Sequence, residues 1–283
     1  AFSRRGAVRS PMPPRQSHAA RPRARLCEER LGKRRAWRQS RRVVLGVATT
    51  TDSLLGGSLR LLQPKTGYRV NVDSLLLVAF AGDRRVDRVV DLGAGVGALG
   101  LLALHRGIAK RALLIEADPK LVLLARENLR RAGFEGEARE LDLSKARLRD
   151  SAAPLVLCNP PYYPAHSHRP AAPARAGARS GELAPFLVAA AALVARKTGR
   201  ALFSYPAPQL AELLRRAEDA GLVAKRLRLV HAREDKPARL ALVELRAARP
   251  GGLVVEPPLV EWLGRRRSPE LLRLSGDRAT DRK

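Results

Sequence analysis

Aromatic side chains, cysteines and acidic residues are all scarce in this sequence. Aromatic residues make up 4% of the 283 residues, and there are two cysteines and 27 Asp and Glu. Cys27 lies in an Arg-rich stretch and Cys158 in an apolar run, so we expect no disulfide between them, which fits a reducing compartment such as the cytoplasm. The longest apolar stretch, residues 183–195, is shorter than the roughly 20 residues that span a bilayer, so we expect no membrane partner.

The scarcity of acids leaves a large excess of positive charge. There are 54 Lys and Arg, and the formal net charge is +27. Residues 1–42 hold 14 Lys and Arg against two Glu, a net +12, which leaves +15 for the rest of the chain. Positive charge spread over the folded part favours a polyanionic partner such as nucleic acid. The codon usage of a GC-rich genome is the plainer explanation of the arginine content.

Composition and apolar pattern divide the chain into four segments. Residues 1–42 combine Pro, Arg, Ser and Gln without an apolar period, which predicts a disordered, Arg-rich extension. Residues 43–84 predict a hairpin followed by a helix with Asp73 at its N-cap. The main domain is predicted at residues 85–249, and a partly disordered C-terminal segment at residues 250–283.

Strands and helices alternate regularly through the main domain. Because the strands are almost continuously apolar, they predict an open, doubly wound, mostly parallel α/β sheet covered on both faces, a Rossmann-like fold. No helix separates the last two strands, so they should form an antiparallel hairpin at the end of the sheet. The seven strands are predicted at residues 88–92, 111–116, 138–141, 155–158, 200–205, 225–230 and 240–246.

The first of these strands runs into a glycine-rich turn. Ligands of such sheets lie beyond the carboxyl ends of the strands, so the residues just after each strand carry the most information. Glycines let the backbone turn tightly and approach a ligand closely, although a strand-to-helix turn without a ligand is the alternative. The turn reads Asp91-Leu-Gly93-Ala94-Gly95-Val-Gly97.

The next two strands end in acidic residues. Glu116, followed by Ala117, occupies the place where nucleotide-binding sheets hold ribose hydroxyls, and a solvated charge is its plain alternative. We assign Asp118 to the N-cap of the helix that opens with Pro119. Asp142 follows the third strand, where it either accepts a hydrogen bond from an adenine amino group or is an ordinary surface residue.

The fourth strand ends in the tetrapeptide Asn159-Pro160-Pro161-Tyr162. The Asn159 side-chain oxygen and the Pro160 carbonyl are two acceptors for the hydrogens of a conjugated amino group, so that its lone pair points at an electrophilic methyl group. Proline fixes that carbonyl rigidly, and Tyr162 offers a ring for stacking on a planar substrate. A turn without a catalytic role is the alternative.

Glycine turn, acid and tetrapeptide together resemble the amino-methylating branch of the class I S-adenosylmethionine-dependent methyltransferases. The run TTDSLLGGSLRLLQPKTGYRVNVDSLLLVAFAG before DLGAGVG resembles more closely a bacterial family that methylates adenine N6 in a valine tRNA near the anticodon. The resemblance covers residues 50–246 and extends to Leu274, where EPPLVEWLGRRRSPELLRL resembles the closing segment of the family. It implies S-adenosylmethionine as the methyl donor, an exocyclic amino nitrogen as the acceptor, and tRNA or another RNA as the partner.

The resemblance also implies a role for each motif residue. Asp73 matches an acidic position near the methionine end of the donor, although a helix cap explains it equally well. His166 and His168 have no Cys or acidic partner nearby, so we predict solvent or phosphate contact and no metal. Donor contacts fall on Asp91, Gly93, Ala94, Gly95, Gly97, Glu116, Ala117, Asp142 and Asn159, and target contacts on Asn159, Pro160, Pro161 and Tyr162.

Two other functions stay open at this point. Glutamine N5 methyltransferases that act on release factors or ribosomal proteins carry the same tetrapeptide, because a carboxamide nitrogen presents the same chemical problem. Those enzymes have a helical N-terminal domain that binds the substrate. Residues 1–87 of this chain are too short and too basic to form such a domain. The other alternative is a non-catalytic RNA-binding protein with the same fold, against which the intact tetrapeptide argues. Residues 164–181, rich in Pro, Ala and Arg, are predicted to form a substrate-facing lid.

Overall fold

The computed structural model describes residues 47–66, 69–146, 148, 152–161, 183–247 and 251–276. The predicted N-terminal extension, Tyr162, the predicted lid and its two histidines lie outside the described residues. Among the helices that are described, none is both long and apolar enough to cross a membrane.

The described chain begins with the predicted hairpin. Strands β1 (Thr49–Leu54) and β2 (Leu59–Pro64) pair antiparallel, and helix α1 follows at Val72–Phe80. Asn71, not Asp73, is the N-cap of α1: its side-chain oxygen accepts a 3.0 Å hydrogen bond from the Asp73 amide. The prediction of Asp73 as the cap is wrong, because Asp73 already lies inside the first helical turn.

The main sheet is built from alternating strands and helices, as the apolar pattern predicts. Its seven principal strands are β3 (Val86–Leu92), β4 (Ala109–Glu116), β5 (Glu135–Glu140), β6 (Leu155–Cys158), β7 (Arg200–Pro206), β8 (Leu222–Arg233) and β9 (Ala238–Ala247). The helices between them are α2 (Ala98–His105), α3 (Pro119–Ala132), α4 (Leu183–Leu193) and α5 (Leu210–Asp219). The C-terminal segment adds β10 (Val254–Val255), β11 (Leu259–Leu263), β12 (Arg266–Arg267) and α6 (Pro269–Ser275).

Strand order places the carboxyl ends of β3 and β6 side by side. The sheet runs β12-β11-β8-β9-β7-β6-β3-β4-β5, with β10 also paired to β8. Strands β5, β4, β3, β6 and β7 pair parallel, and β9 is antiparallel to both β7 and β8, which confirms the predicted terminal hairpin. Since β3 continues to β4 on one side and β6 lies on the other, a crevice opens between the ends of β3 and β6.

Apolar residues on both faces of the sheet explain its two layers of helices. In β3, Val89 faces a core formed with α1, α2 and α3, whereas Val90 faces a second core formed with α4 and α5. Both valines are fully buried. Helix α3 has the predicted bounds: the Asp118 side chain caps its start, and Gly133 ends it with a φ of 67°, which favours glycine.

Candidate active site

The glycine-rich turn after β3 forms an open backbone surface. Gly93, Gly95 and Gly97 have φ values of 65°, 57° and 89°, in the left-handed region that glycine adopts without strain. A Cβ on Gly93 would lie 2.8 Å from the ring of Phe186, whereas one on Gly95 would meet no described atom within 4 Å. The backbone at Gly95 therefore faces space that a ligand can occupy.

Asp91 is the buried acid of this turn. Its Oδ2 accepts a 2.9 Å hydrogen bond from the Gly100 amide, while Oδ1 is buried without a hydrogen-bond partner among the described residues. Burial raises the pKa of Asp91 from 3.8 to about 7; the Gly100 hydrogen bond opposes this, and the charge of Glu116 adds to it. An unsatisfied acceptor at this depth suits a cationic or hydrogen-bond-donating ligand.

Gly100, which the sequence analysis did not single out, explains how Asp91 keeps its one partner. A Cβ on Gly100 would lie 2.3 Å from Leu114 Cδ2 and 3.6 Å from Asp91 Oδ2. Only glycine lets α2 pack this closely on β4 and direct its amide at the carboxylate. The recurrence of glycine three residues after Gly97, inside a helix, was the signal available in the sequence.

Glu116 links the ends of two neighbouring strands. Its Oε2 accepts a 2.8 Å hydrogen bond from the Gly95 amide, and its Oε1 accepts hydrogen bonds from the Ala117 and Asp118 amides at 2.9 and 3.0 Å. The carboxylate thus lies directly beside the glycine turn. The end of β4 and the turn after β3 are therefore held together by this side chain.

Asp142 lies two residues beyond the end of β5 and is occupied locally. Its Oδ1 accepts hydrogen bonds from the Ser144 amide and hydroxyl at 3.0 and 2.6 Å, and Lys145 Nζ lies 3.2 Å from Oδ2. The Ser144 hydrogen bonds and the Lys145 charge lower the pKa of Asp142. The described residues that line the cleft do not include Asp142.

Asn159 follows β6 and is held by a residue of the next strand. Ser204 Oγ, on β7, donates a 2.8 Å hydrogen bond to Asn159 Oδ1. Because Cys158 pairs with Phe203 in the parallel register, the following residues of both strands meet side by side. Ser204 is fully buried, and no local sequence pattern marked it as a site residue. Of the rest of the tetrapeptide, Pro160 is buried and Pro161 is exposed.

One cleft brings together five of the predicted site residues, Asp91, Gly93, Ala94, Gly95 and Asn159, whereas Glu116, Ala117 and Pro160 do not line it. Gly97 instead packs inward, where a Cβ would lie within 2.8 Å of Leu101 and Leu114. Ser74 and Leu121 were not predicted, and they complete the wall of the cleft from α1 and α3. The cleft is lined by Val70, Ser74, Asp91, Gly93, Ala94, Gly95, Val96, Ala98, Leu99, Leu121 and Asn159.

Asp73 lies in a different place from the other predicted donor residues. It is 2% exposed, and its Oδ1 lies 2.7 Å from Arg239 Nη1. Its Oδ2 accepts a 3.0 Å hydrogen bond from the Asn71 side chain. Asp73 lines a second cavity, while the next residue, Ser74, lines the cleft.

Potential metal ligands do not cluster among the described residues. No group of three or more His, Cys, Asp or Glu among them is placed to hold a metal ion. Cys158 is buried, and burial, together with the charge of Asp91, raises the pKa of its thiol well above the ordinary range, so it stays protonated. The lining of the cleft itself combines carboxylate and amide acceptors, the backbone of the glycine turn and apolar side chains.

Comparison with known proteins points to one class. Residues 68–178 match a family model described as the methyltransferase small domain. A tRNA1(Val) (adenine(37)-N6)-methyltransferase from Pedobacter heparinus is 28% identical over 179 residues, which is 62% of this chain and 76% of the relative. The protein of the same name from Tolumonas auensis is 25% identical over 220 residues, which is 76% of this chain and 91% of the relative.

Solved structures share the fold. A protein described as a predicted O-methyltransferase from Agrobacterium tumefaciens has a TM-score of 0.57 at 24% identity and covers 72% of this chain and 95% of its own. The T. thermophilus 16S rRNA N2 G1207 methyltransferase has a TM-score of 0.50 at 20% identity and covers 70% of this chain and 50% of its own.

The family match over residues 68–178 and the named relatives together give the class of protein: this chain is an S-adenosylmethionine-dependent methyltransferase. Within that class, it is similar over more than half of its length to proteins named tRNA1(Val) (adenine(37)-N6)-methyltransferase, which confirms the resemblance predicted from its sequence.

Proposed function

We propose that this protein transfers a methyl group to an exocyclic amino nitrogen, adenine N6 in tRNA or another RNA. The observation that carries the proposal is the position of Asn159. Its carboxamide lies in the same cleft as Gly93 and Gly95, with its oxygen held by Ser204. An acceptor fixed beside the donor-binding turn is what positioning a weakly nucleophilic amine requires.

The residues of the cleft fit S-adenosylmethionine as the donor. When bound, the donor supplies an electrophilic methyl group on a sulfonium sulfur. Asp91 offers a buried oxygen without a partner among the described residues, which suits the positive charge of such a ligand. Gly95 leaves open space at its backbone, and Glu116 beside it offers acceptors for ribose hydroxyls.

Two hydrogen-bond acceptors, one on Asn159 and one on Pro160, are proposed to hold the amino group of the substrate. An amide oxygen has two lone pairs, so the hydrogen bond from Ser204 to Asn159 is compatible with a second one from a substrate amine. The rigid carbonyl of Pro160 is the proposed acceptor for the other hydrogen. No general base is needed before transfer, because the methylated ammonium loses its proton readily to water. Stacking of the base on Tyr162 stays a prediction.

The positive charge of the chain and the names of its relatives support an RNA substrate. Residues 43–283 carry a net charge of +15, which attracts a polyanion. The relatives are named for methylation of adenine 37 of a tRNA. A base in a loop is already poorly stacked, so placing it in a pocket costs less than extracting one from a duplex. We assign the enzyme to the cytoplasm on the same reasoning.

Partition of a labelled methyl group tests the proposal. The protein is incubated with radiolabelled S-adenosylmethionine and a bacterial extract, and the RNA and protein fractions are counted separately. We expect label in the tRNA fraction, reduced steeply by added salt because phosphate contacts release counterions. Label confined to a release factor or ribosomal protein would favour glutamine methylation instead. Donor binding without label in either fraction would contradict the proposal.

A further inference from the structure

A second cavity of about 270 Å³ lies next to the cleft. Its lining residues come from the start of α1, the start of β9, strands β11 and β12, and helix α6. The residues that give it chemical character are Asp73, Arg239, Glu261, Trp262 and Arg267. Its volume is slightly below the roughly 300–1,000 Å³ of pockets that hold drug-sized ligands, which suits a single planar base.

The cavity opens on the same edge of the sheet as the cleft. Pro206, at the carboxyl end of β7, pairs with Leu240, so β9 begins at the edge where the parallel strands end. Trp262 pairs with Arg233 near the end of β8, so β11 reaches the same edge. Helix α1 separates the two spaces, because Asp73 lines the cavity and Ser74 lines the cleft.

Carboxylates form the floor of the cavity. Arg239 donates to Asp73 Oδ1 at 2.7 Å from Nη1, and it donates to both oxygens of Glu261, from Nε to Oε2 at 2.9 Å and from Nη2 to Oε1. Although burial opposes the charge, the two carboxylates raise the pKa of Arg239 above its ordinary value. Two carboxylates sharing one guanidinium leave one excess negative charge at the floor, and Arg267, which also lines the cavity, balances it. The floor therefore favours ligands that donate hydrogen bonds.

The ring of Trp262 and the guanidinium of Arg267 form the rim. The Arg267 guanidinium lies 5.6 Å from the centroid of the Trp262 ring. Residues 265–267 are three consecutive arginines on the turn into β12 and β12 itself. An indole offers a stacking surface for a base, and arginines attract phosphates. Stacking surface, acceptors and cations thus occur together at one opening.

We propose that the second cavity binds one base of the RNA substrate adjacent to the methylated base, stacked on Trp262 and hydrogen-bonded to Glu261, with a phosphate at Arg267. This inference rests on the proposed function and adds a sequence preference to it. The carboxylate floor selects a base with an exocyclic amino group (adenine, cytosine or guanine). Uracil has no exocyclic amino group and offers only its N3–H, between two carbonyl oxygens that face the carboxylates, so it pairs less well.

Tryptophan fluorescence tests the contact directly. The sequence has two tryptophans, so Trp37→Phe leaves Trp262 as the sole tryptophan, which is excited selectively over the four tyrosines at the red edge of its absorption. The Trp37→Phe protein is titrated with stem-loop RNAs whose loop adenine is flanked on either side by cytosine or by uracil. We expect quenching on binding and about tenfold weaker binding when uracil replaces cytosine on the side that the cavity reads. Saturating RNA binding without a change in fluorescence would overturn the inference.

Kinetics separate this inference from the proposed function. We expect Trp262→Ala to raise KM for the stem-loop about tenfold with kcat within twofold, and Trp262→Phe to restore most of the loss. Leu263→Ala, at the neighbouring exposed residue that does not line the cavity, is the matched control. Normal RNA methylation by Trp262→Ala with unchanged KM would overturn only the inference. If RNA quenches the fluorescence of Trp262 but neither the wild type nor any variant methylates that RNA, only the proposed function is overturned.

Discussion

Ser204 Oγ donates a 2.8 Å hydrogen bond to Asn159 Oδ1 across two neighbouring parallel strands. Ser204 is fully buried inside β7, so it does not exchange this bond for one with water. The contact determines which way the carboxamide of Asn159 faces at the end of β6. It makes Ser204 a positioning residue for the acceptor on which the proposed chemistry depends.

Removing that hydroxyl should slow methyl transfer without weakening donor binding. A neutral hydrogen bond contributes about 0.5–1.5 kcal/mol, so we expect Ser204→Ala to lower kcat about fivefold. The donor dissociation constant, measured by calorimetry, should stay within twofold. Ser275→Ala, at another buried serine outside the cleft, is the control and should leave both values unchanged. Equal losses of kcat in the two variants would show that the contact with Asn159 is irrelevant.

Asp91 should make the donor-free protein less stable as the pH rises. Its pKa is raised from 3.8 to about 7, so between these values the folded chain holds a proton that the unfolded chain releases. The free energy of unfolding therefore falls as the pH rises through this window and levels off above it. Compared with Asp91→Asn, the wild type should lose about 3 kcal/mol between pH 5 and pH 8. Urea denaturation of both proteins at the two pH values measures this difference.

The same group should make donor affinity depend on pH. A cationic donor binds the charged carboxylate better than the neutral acid, so affinity should rise from pH 6 to pH 8. In Asp91→Asn the affinity should be lower and nearly independent of pH. Calorimetric titration measures donor affinity against pH for both proteins. If the affinity of the variant changes with pH as much as that of the wild type, groups other than Asp91 cause the pH dependence.

Two glycines allow backbone strain to be separated from ligand contact. Gly95 and Gly107 have φ values of 57° and 68°, and an added Cβ at either would meet no described atom within 4 Å. Alanine at each position should therefore cost a similar amount of stability, about 1 kcal/mol. Only Gly95→Ala places a methyl group in the cleft, so only it should weaken donor binding, by tenfold or more. Comparable donor affinities in the two variants would place the donor elsewhere.

Local pattern was enough to predict the frame of the site. The apolar strands, the glycine turn, Glu116 and the capped helix α3 follow from short-range rules of strand burial and helix capping, and the structure has them where they were predicted. Ser204, in contrast, looks like any serine in a strand until β6 and β7 are paired. Tertiary pairing is what local sequence does not specify.

Asp73 shows the same limit more clearly. A local rule assigned it to a helix cap, but its partner Arg239 is 166 positions away in the chain, at the start of β9. The neighbouring Asn71 fulfils the capping role with the same chemistry. Long-range ion pairs of this kind require the sheet order, which the sequence pattern leaves undetermined.

Arg239 should be important for stability. Removing it leaves the carboxylates of Asp73 and Glu261, which are 2% and 7% exposed, buried without their shared cation. We expect Arg239→Ala to lower the free energy of unfolding by about 3 kcal/mol. Arg215→Ala breaks the exposed pair with Asp219 and should cost less than about 0.5 kcal/mol. Denaturant unfolding of both variants measures the contrast, and similar small losses would refute a stabilising role for the buried pair.

Mass spectrometry of nucleosides tests the central claim most directly. Total tRNA is incubated with the protein and isotope-labelled S-adenosylmethionine, then digested to nucleosides. Wild type should produce labelled N6-methyladenosine, and Asn159→Ala should produce none while binding the donor within a few-fold of wild type. Labelled N6-methyladenosine from Asn159→Ala at the wild-type rate, or a wild type that binds donor and labels no adenosine, would contradict the account.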